Sequence, residues 1–297
     1  MKNTFKILTI LGSPHDGKSN TKALVEDFIE EVRNEGLQLE HEIISLGRKK
    51  VEPCRGCWNC TFERPCPIKD DLEEIKIKMI ESDMLILASP VYTNQVTAQM
   101  KALFDRLFTW CHIYPLLGKY SLSALTTGND GQKETGHFLE KMLATYGTFS
   151  FGTLQSMGGF TPGFFPWREQ AREKNKAFAK KVANTILAGK MPKKRKIQKE
   201  IFKTMKNKMS GIHTVNCMEY GIPEGQPAPP KVKTKILNYF FRKMKLSEKD
   251  ITKWAGFLAF ELKWWRDRGW LNAKSLKDIM NQSIPENFNL PSRLLNK

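Results

Sequence analysis

The sequence lacks the long apolar run that a membrane-spanning helix requires. No stretch of about eighteen consecutive apolar residues occurs in its 297 positions, so no membrane span is predicted. Its first residues also lack the basic segment, apolar segment and cleavage site of a secretory signal. We therefore expect a cytoplasmic protein, in which disulfides are disfavoured. The five histidines are scattered without the spacing of metal ligands.

Acidic residues are scarce in the last third of the chain. Residues 1–189 carry 24 Lys/Arg and 22 Asp/Glu, whereas residues 190–297 carry 24 and 9. The formal net charge of +17 comes almost wholly from the second part, which should attract acidic partners. Composition predicts a globular domain at 1–189 and a basic helical extension at 190–297, with a linker at 210–231. Helical spacing in the extension predicts helices up to residue 209, at 234–244 and at 248–268.

Short apolar runs alternate with helical periodicity through the first domain. Strands are predicted at 5–11, 39–46, 84–88, 122–126 and 149–154, and helices at 20–32, 72–80, 96–110, 134–146 and 168–187. This alternation predicts an α/β fold, a doubly wound five-stranded parallel sheet. Ligands of such sheets bind beyond the carboxyl ends of the strands, so the loops after the first, third and fourth strands are the candidate site. Asp70 and Asp71 are expected to cap the second helix.

Four of the six cysteines lie within thirteen residues, with the spacing C-x₂-C-x₂-C-x₅-C: Cys54, Cys57, Cys60 and Cys66. Thiolates this close can converge on one iron–sulfur cluster, which is commonly held by four cysteines. Structural zinc also takes four cysteines, but its ligand pairs are usually separated by a longer loop. Reduced thiols without any metal are the third interpretation. Cys111 and Cys217 stand alone and are predicted to be small buried hydrophobes.

The loop after the first predicted strand, Gly12-Ser13-Pro14-His15-Asp16-Gly17-Lys18-Ser19, matches the G-x-x-x-x-G-K-[ST] signature of P-loop nucleotidases. A nucleotidase also needs an acid at the end of another strand to hold magnesium. The third predicted strand ends Leu87-Ala88-Ser89-Pro90 and has none. The alternative is an anion site made of amides and hydroxyls at a helix N-terminus, without a metal. Lys18 would then be an extra counter-charge or incidental.

A long string follows the third predicted strand: Ser89-Pro90-Val91-Tyr92-Thr93-Asn94, then Met100-Lys101 and Phe104-Asp105-Arg106. Together with the loop from Gly12 to Thr21, this string resembles the flavodoxin-like NAD(P)H-dependent FMN reductases. The cysteine run followed by Lys69-Asp70-Asp71 resembles the iron–sulfur flavoprotein branch of that family. The resemblance covers about residues 4–188 in order and spacing. It implies a flavodoxin-like FMN-binding domain at 1–189 that contains a cysteine-rich loop at 51–70.

The resemblance implies that three loops bind FMN. The phosphate would be bound by Ser13, His15, Ser19, Asn20 and Thr21, where His15 replaces an arginine common in the family. The ribityl chain and flavin ring would lie against Pro90, Val91, Tyr92, Thr93 and Asn94. The third loop would be Thr126, Thr127, Gly128 and Asn129. Without the neighbouring motif, Tyr92 would be interpreted as a core aromatic.

The same resemblance implies that Cys54, Cys57, Cys60 and Cys66 bind a four-iron four-sulfur cluster. Family members form dimers or tetramers, which implies a homodimer or homotetramer here. The implied activity is electron transfer between the cluster and FMN, with NAD(P)H or ferredoxin as the electron donor. The cofactors then carry the chemistry, and no side-chain acid or base is assigned.

Two other functions remain open from the sequence. One is an NAD(P)H-dependent FMN or quinone reductase whose cysteines hold no cluster; the other is a non-enzymatic flavin-binding or basic adaptor protein. The basic extension also has three interpretations. It can be a helical cap packed on the first domain, a docking face for an acidic carrier such as ferredoxin, or a contact for anionic lipid or nucleic acid. No recognised motif supports nucleic acid, so we do not expect it as a partner.

Overall fold

The described part of the chain is built on one five-stranded parallel sheet with the order β2-β1-β3-β4-β5. The computed structural model describes residues 4–62 and 65–206. The strands are β1 Phe5–Leu11, β2 Leu39–Ser45, β3 Met84–Pro90, β4 Tyr120–Thr127 and β5 Phe149–Met157. The helices are α1 Asn20–Asn34, α2 Leu72–Glu81, α3 Ala98–Arg106, α4 Trp110–Ile113, α5 Gln132–Thr145 and α6 Arg168–Leu187. This strand order is the flavodoxin-like one, so the predicted fold is confirmed.

Helices cover both faces of the sheet. Residues 84–88 of β3 are completely buried, because a parallel strand with two covered faces has no solvent side. On one face, apolar side chains of α1 and α6, among them Phe28 and Val182, pack on the sheet. On the other face α2, α3 and α5 do the same, with Ile75, Leu103 and Leu139 in that core. The carboxyl ends of all five strands therefore lie along one edge.

The helix predicted at 96–110 is two helices, α3 and α4, so that prediction was wrong in its extent. Thr97 begins α3: its Oγ1 accepts a hydrogen bond from the Met100 amide and donates one to the Gly12 carbonyl at 2.6 Å. After α3 the Leu107 amide reaches both Leu103 O and Phe104 O, and the Trp110 amide reaches Leu107 O. The bonds to Phe104 O and Leu107 O are of the i→i+3 type at which an α-helix ends, while the apolar periodicity of the sequence continues across them.

The start of the basic extension is fastened to the first domain. Arg195 Nε donates to Glu140 Oε2 at 3.0 Å, and Gln198 Nε2 donates to the Thr148 carbonyl at 2.6 Å. Residues 4–57 and 67–198 accordingly fall in one compact unit, whereas residues 58–62, 65 and 66 of the cysteine loop belong to another. The chain is helical again at 196–206. The predicted boundary at 189/190 stays a prediction.

Several predictions fall on parts of the chain outside the described residues. These are the linker at 210–231, the helices at 234–244 and 248–268, and the interpretation of Cys217. Within the described residues, no helix has the length and apolar character needed to cross a membrane.

Candidate functional site

An open cavity of about 250 Å³ lies at the carboxyl edge of the sheet. Eleven of the fourteen residues predicted to bind FMN line it: Ser13, His15, Ser19, Asn20, Thr21, Pro90, Val91, Tyr92, Thr126, Thr127 and Gly128. The other three, Thr93, Asn94 and Asn129, are chain neighbours of these residues rather than part of the described lining. The fold thus brings the three predicted loops together around one space.

The hydroxyl groups of Ser13 and Ser19, between β1 and α1, are oriented by hydrogen bonds from backbone amides. Ser13 Oγ accepts a hydrogen bond from the His15 amide at 3.2 Å, and Ser19 Oγ accepts one from the Lys22 amide at 3.2 Å. Each hydroxyl is therefore engaged as an acceptor and keeps its single proton for another partner. The first turn of α1 adds amide N–H groups that have no partner within the helix. This arrangement suits an anion such as a phosphate.

The loop departs from a nucleotidase P-loop at Ser19. Ser19 is the N-cap of α1, and its side-chain oxygen serves the helix backbone at Lys22. A 3₁₀ turn, Asp16–Lys18, separates the preceding residues from α1. Lys18 lines the cavity together with His15, so two basic side chains stand beside the anion site. The match to the nucleotidase signature is therefore a coincidence of sequence without the corresponding function of Ser19.

The loop after β3 contains a strained turn. Tyr92 and Gln95 exchange two backbone hydrogen bonds, of 2.8 and 3.0 Å. Between them Thr93 and Asn94 both have positive φ, 48° and 59°, as in a type I′ turn. Asparagine tolerates this conformation, but a β-branched threonine rarely adopts it, and such strain clusters at ligand-binding sites. Tyr92 is 43% exposed, so the core-aromatic interpretation is wrong.

The loop after β4 packs tightly against that turn. The Val91 amide donates to the Thr126 carbonyl at 2.8 Å, and Thr126 Oγ1 lies 2.7 Å from Thr21 Oγ1. Gly131, at φ 76°, leaves space only for a hydrogen: a Cβ there would lie 2.7 Å from Asn94 Cα and 2.8 Å from Val91 Cγ1. The three loops are thus in mutual contact, and Gly131 is a supporting residue that the sequence prediction missed.

A fourth loop, after β5, completes the cavity and was not predicted. Its lining residues are Gly158, Gly159, Phe160, Thr161 and Pro162. The loop closes on itself through a 2.9 Å hydrogen bond from the Gly159 amide to the Phe164 carbonyl, which also accepts from Asn20 Nδ2 at 2.9 Å. Phe160 is 83% exposed. The signal was in the sequence, because a glycine- and proline-rich run begins at Gly158, separated by three residues from the fifth predicted strand.

The cysteine run forms an exposed loop. Cys54, Cys57 and Cys60 are exposed and Cys66 is partly buried. The Gly56 amide donates to Cys54 Sγ at 3.5 Å, and both Gly56 and Trp58 have φ near 61°. Among the described residues, no three His, Cys, Asp or Glu side chains are arranged as a ready metal site. The donor set nevertheless fits an iron–sulfur cluster in its chemistry, since four accessible thiols are what such a cluster takes.

The loop returns to α2 through Asp70 and Asp71. Asp71 occupies the N-cap position of α2 without making a capping bond; its Oδ2 accepts from the Lys50 amide at 2.7 Å instead. Asp70 Oδ1 accepts from the Leu72 amide at 3.3 Å. The predicted capping role therefore belongs to Asp70 in part, and Asp71 ties the helix start to the chain before the loop.

Comparison with known proteins settles the family. A model described as NADPH-dependent FMN reductase matches residues 5–162. The chain belongs to this family. An iron-sulfur flavoprotein from Archaeoglobus fulgidus is 34% identical over 154 residues, which cover 52% of this chain and 69% of the relative. A second from that organism is 32% identical over 207 residues, covering 62% and 97%. One from Methanosarcina thermophila is 33% identical over 159 residues, covering 52% and 82%.

Membership of the FMN reductase family, in its iron–sulfur flavoprotein branch, makes this chain an FMN-dependent oxidoreductase. The cavity suits that cofactor: hydroxyls, helix amides and two basic side chains surround a space for a phosphate. Tyr92 and the exposed Phe160 add aromatic surface at the same cavity, which suits a planar ring. The residue-by-residue assignment of FMN contacts stays a prediction.

Proposed function

We propose that this FMN-dependent oxidoreductase passes electrons between FMN and a four-iron four-sulfur cluster held by Cys54, Cys57, Cys60 and Cys66. The observation that carries the proposal is that four thiols share one short, exposed loop. The three relatives described above are iron-sulfur flavoproteins, which supports it. When bound, FMN exchanges one or two electrons and a cluster exchanges one, so the protein has to supply placement and tuning.

Within this proposal the side chains of the cavity divide their tasks. Ser13 and Ser19 would donate hydroxyl hydrogen bonds to the FMN phosphate, beside which Lys18 and His15 line the cavity. The turn from Tyr92 to Gln95 is held rigid by its own backbone bonds, which fixes Tyr92 at the cavity. The exposed thiols of Cys54 and Cys57 leave the loop open to a partner that gives or takes electrons.

The proposal is tested by the iron, sulfide and flavin content of protein purified without oxygen. We expect about four irons and four sulfides per chain together with FMN, and a brown protein. A yellow protein that contains FMN but no iron would reject the cluster and favour the second candidate, an NAD(P)H-dependent FMN or quinone reductase. The family itself favours that second candidate, because it is described as NADPH-dependent.

The electron donor in this proposal is NAD(P)H or a reduced ferredoxin. Ferredoxin is supported by the charge of the extension: residues 190–206 contain eight Lys/Arg and one acidic residue. Opposite charges accelerate protein association and are screened by salt. We expect Lys199→Glu with Lys203→Glu, both exposed, to slow reduction by ferredoxin roughly tenfold at low salt and to leave reduction by NADPH unchanged.

The matched control for this experiment is Lys180→Glu with Lys181→Glu, which reverses two exposed charges on α6. If both double variants lower the rate of reduction by ferredoxin equally, net charge alone explains the effect and the extension is not a docking face. If neither does, ferredoxin docking on this segment is wrong. We further propose that the protein is cytoplasmic and forms a homodimer or homotetramer. A mass measurement of the holoprotein tests the oligomeric state.

A further inference from the structure

A buried ion pair stands at the neck of the cysteine loop. Arg106 Nη1 donates to Asp70 Oδ2 at 2.7 Å, and Arg106 Nη2 donates to Asp70 Oδ1 at 3.2 Å. The two side chains are 2% and 1% exposed. Burial raises the pKa of Asp70, but the hydrogen bonds from Arg106 and from the Glu52 and Leu72 amides outweigh it and lower that pKa below its ordinary value. Asp70 is therefore a carboxylate in a two-pronged pair with arginine.

Both ends of the loop are attached to this one pair. Glu52, eighteen positions before Asp70, donates its amide to Asp70 Oδ2 at 2.9 Å. The carbonyl of the same Glu52 accepts from Arg106 Nη1 at 3.0 Å. A second pair of hydrogen bonds lies beside this ion pair. The Asp71 amide donates to the Lys50 carbonyl at 3.0 Å, and the Lys50 amide donates to Asp71 Oδ2. The two ends of the cysteine loop, residues 50–52 and 70–71, are therefore hydrogen-bonded to each other; we call this the neck of the loop.

The stability of α2 does not require this arrangement. A serine or threonine would cap a helix as well as Asp70 does, and a buried ion pair costs so much desolvation that an apolar pair often replaces it without loss. Arg106 moreover comes from α3, on another part of the sheet. What a two-pronged pair adds is a single fixed geometry, and the element that this geometry fixes is the base of the loop carrying the four thiols.

We propose that Asp70 and Arg106 form a clasp that holds the two ends of the cysteine loop together, so that its four thiolates can close around one iron–sulfur cluster. Both are positioning residues and not ligands. The inference deepens the proposed function and rests on it. The four thiols are spread over thirteen residues of this loop, so binding one cluster costs the loop conformational freedom. A fixed neck limits the conformations that closure has to remove.

The test compares Asp70→Asn and Arg106→Lys with a matched pair elsewhere. Asp27, on α1, makes the same kind of two-pronged pair with Arg168 of α6, at 2.8 and 2.7 Å. Asp27→Asn therefore removes the carboxylate of a similar but more exposed pair outside the loop neck. Three quantities are measured for each protein: hydrogen exchange of residues 50–72 without iron, iron and sulfide retained after anaerobic reconstitution, and the electron paramagnetic resonance spectrum of the reduced protein.

In Asp70→Asn we expect amide exchange at the neck to rise roughly tenfold and iron retention to fall below half of the wild-type amount. Arg106→Lys keeps the charge but loses the planar guanidinium group that makes two parallel hydrogen bonds. Its iron content and its amide exchange should therefore lie between those of the wild type and Asp70→Asn. The cluster that it retains should give a shifted resonance spectrum. Asp27→Asn should match the wild type in loop exchange, iron and spectrum while its melting temperature falls. FMN content should be equal in all four proteins.

The inference is overturned if Asp70→Asn and Arg106→Lys retain wild-type iron, spectrum and loop protection, or if Asp27→Asn loses as much iron as they do. Failure of the proposed function looks different: the wild type itself then takes up no iron. In that case the clasp has no cluster to serve, while the exchange data still show whether it holds the loop. If Asp70→Asn does not fold, judged by its FMN content, Arg106→Lys carries the comparison.

Discussion

Replacing Gly131 with alanine is expected to weaken FMN binding by at least about tenfold, which corresponds to about 1.4 kcal/mol. The added Cβ would lie 2.7 Å from both Asn94 Cα and Asn94 Oδ1, far inside normal contact distance. The neighbouring turn has to move, because one contact is with backbone and not with the end of a flexible side chain. That turn carries Tyr92, which lines the cavity. Fluorescence titration of the flavin-free protein with FMN measures the effect.

The matched control is Gly36→Ala. Gly36 has a similarly positive φ of 89°, but nothing lies within 4 Å of the position its Cβ would take. Both variants pay the same backbone penalty of about 1–2 kcal/mol for a left-handed alanine, and only Gly131→Ala displaces the cavity loop. Equal FMN affinity in the two variants would show that the turn after β3 does not contact the cofactor.

Replacing Cys57 with alanine is expected to abolish the cluster. A cluster with four protein ligands seldom survives the loss of one, so we expect iron to fall from about four per chain to near zero. Cys57 is exposed, and surface substitutions usually change stability by less than about 0.5 kcal/mol. The FMN content should therefore stay at the wild-type value. Iron and sulfide analysis of protein prepared without oxygen measures the loss.

Cys111→Ala is the control for this variant. Cys111 lies outside the run, and its Sγ donates to the Phe108 carbonyl at 2.8 Å. It should retain full iron and sulfide. Should Cys57→Ala bind as much iron as Cys111→Ala, the four cysteines are not the ligand set, and the case for electron transfer through a cluster is lost.

The strands could be predicted from sequence because burial on both faces leaves a local trace. The run from Met84 to Ala88 is apolar at every position but belongs to too short a segment for a helix, and it is β3. The loop between β1 and α1 was equally visible, since Ser13 and Ser19 lie within a few residues of these two elements. In both cases the residues that determine the structure are neighbours in the chain.

Contacts between distant segments could not be predicted in the same way. Gly131 is constrained by Asn94, 37 positions earlier, and nothing around Gly131 in the sequence reveals that approach. The pairing of Asp70 with Arg106 spans 36 positions, so the sequence suggested only a helix cap for Asp70. The end of α3 at Arg106 was missed because backbone hydrogen bonds, rather than side-chain pattern, terminate it.

The cap formed by Ser19 has a consequence for how the pocket responds to its surroundings. One lone pair of its oxygen is taken by the Lys22 amide, whereas the corresponding hydroxyl of a nucleotidase faces a magnesium ion. A phosphate bound above α1, as proposed, would then be held by hydrogen-bond donors and by Lys18 rather than by a metal ion. Chelating agents should therefore leave a bound flavin in place. The free magnesium concentration, on which nucleotide-cleaving enzymes depend, should not change the FMN affinity of this protein.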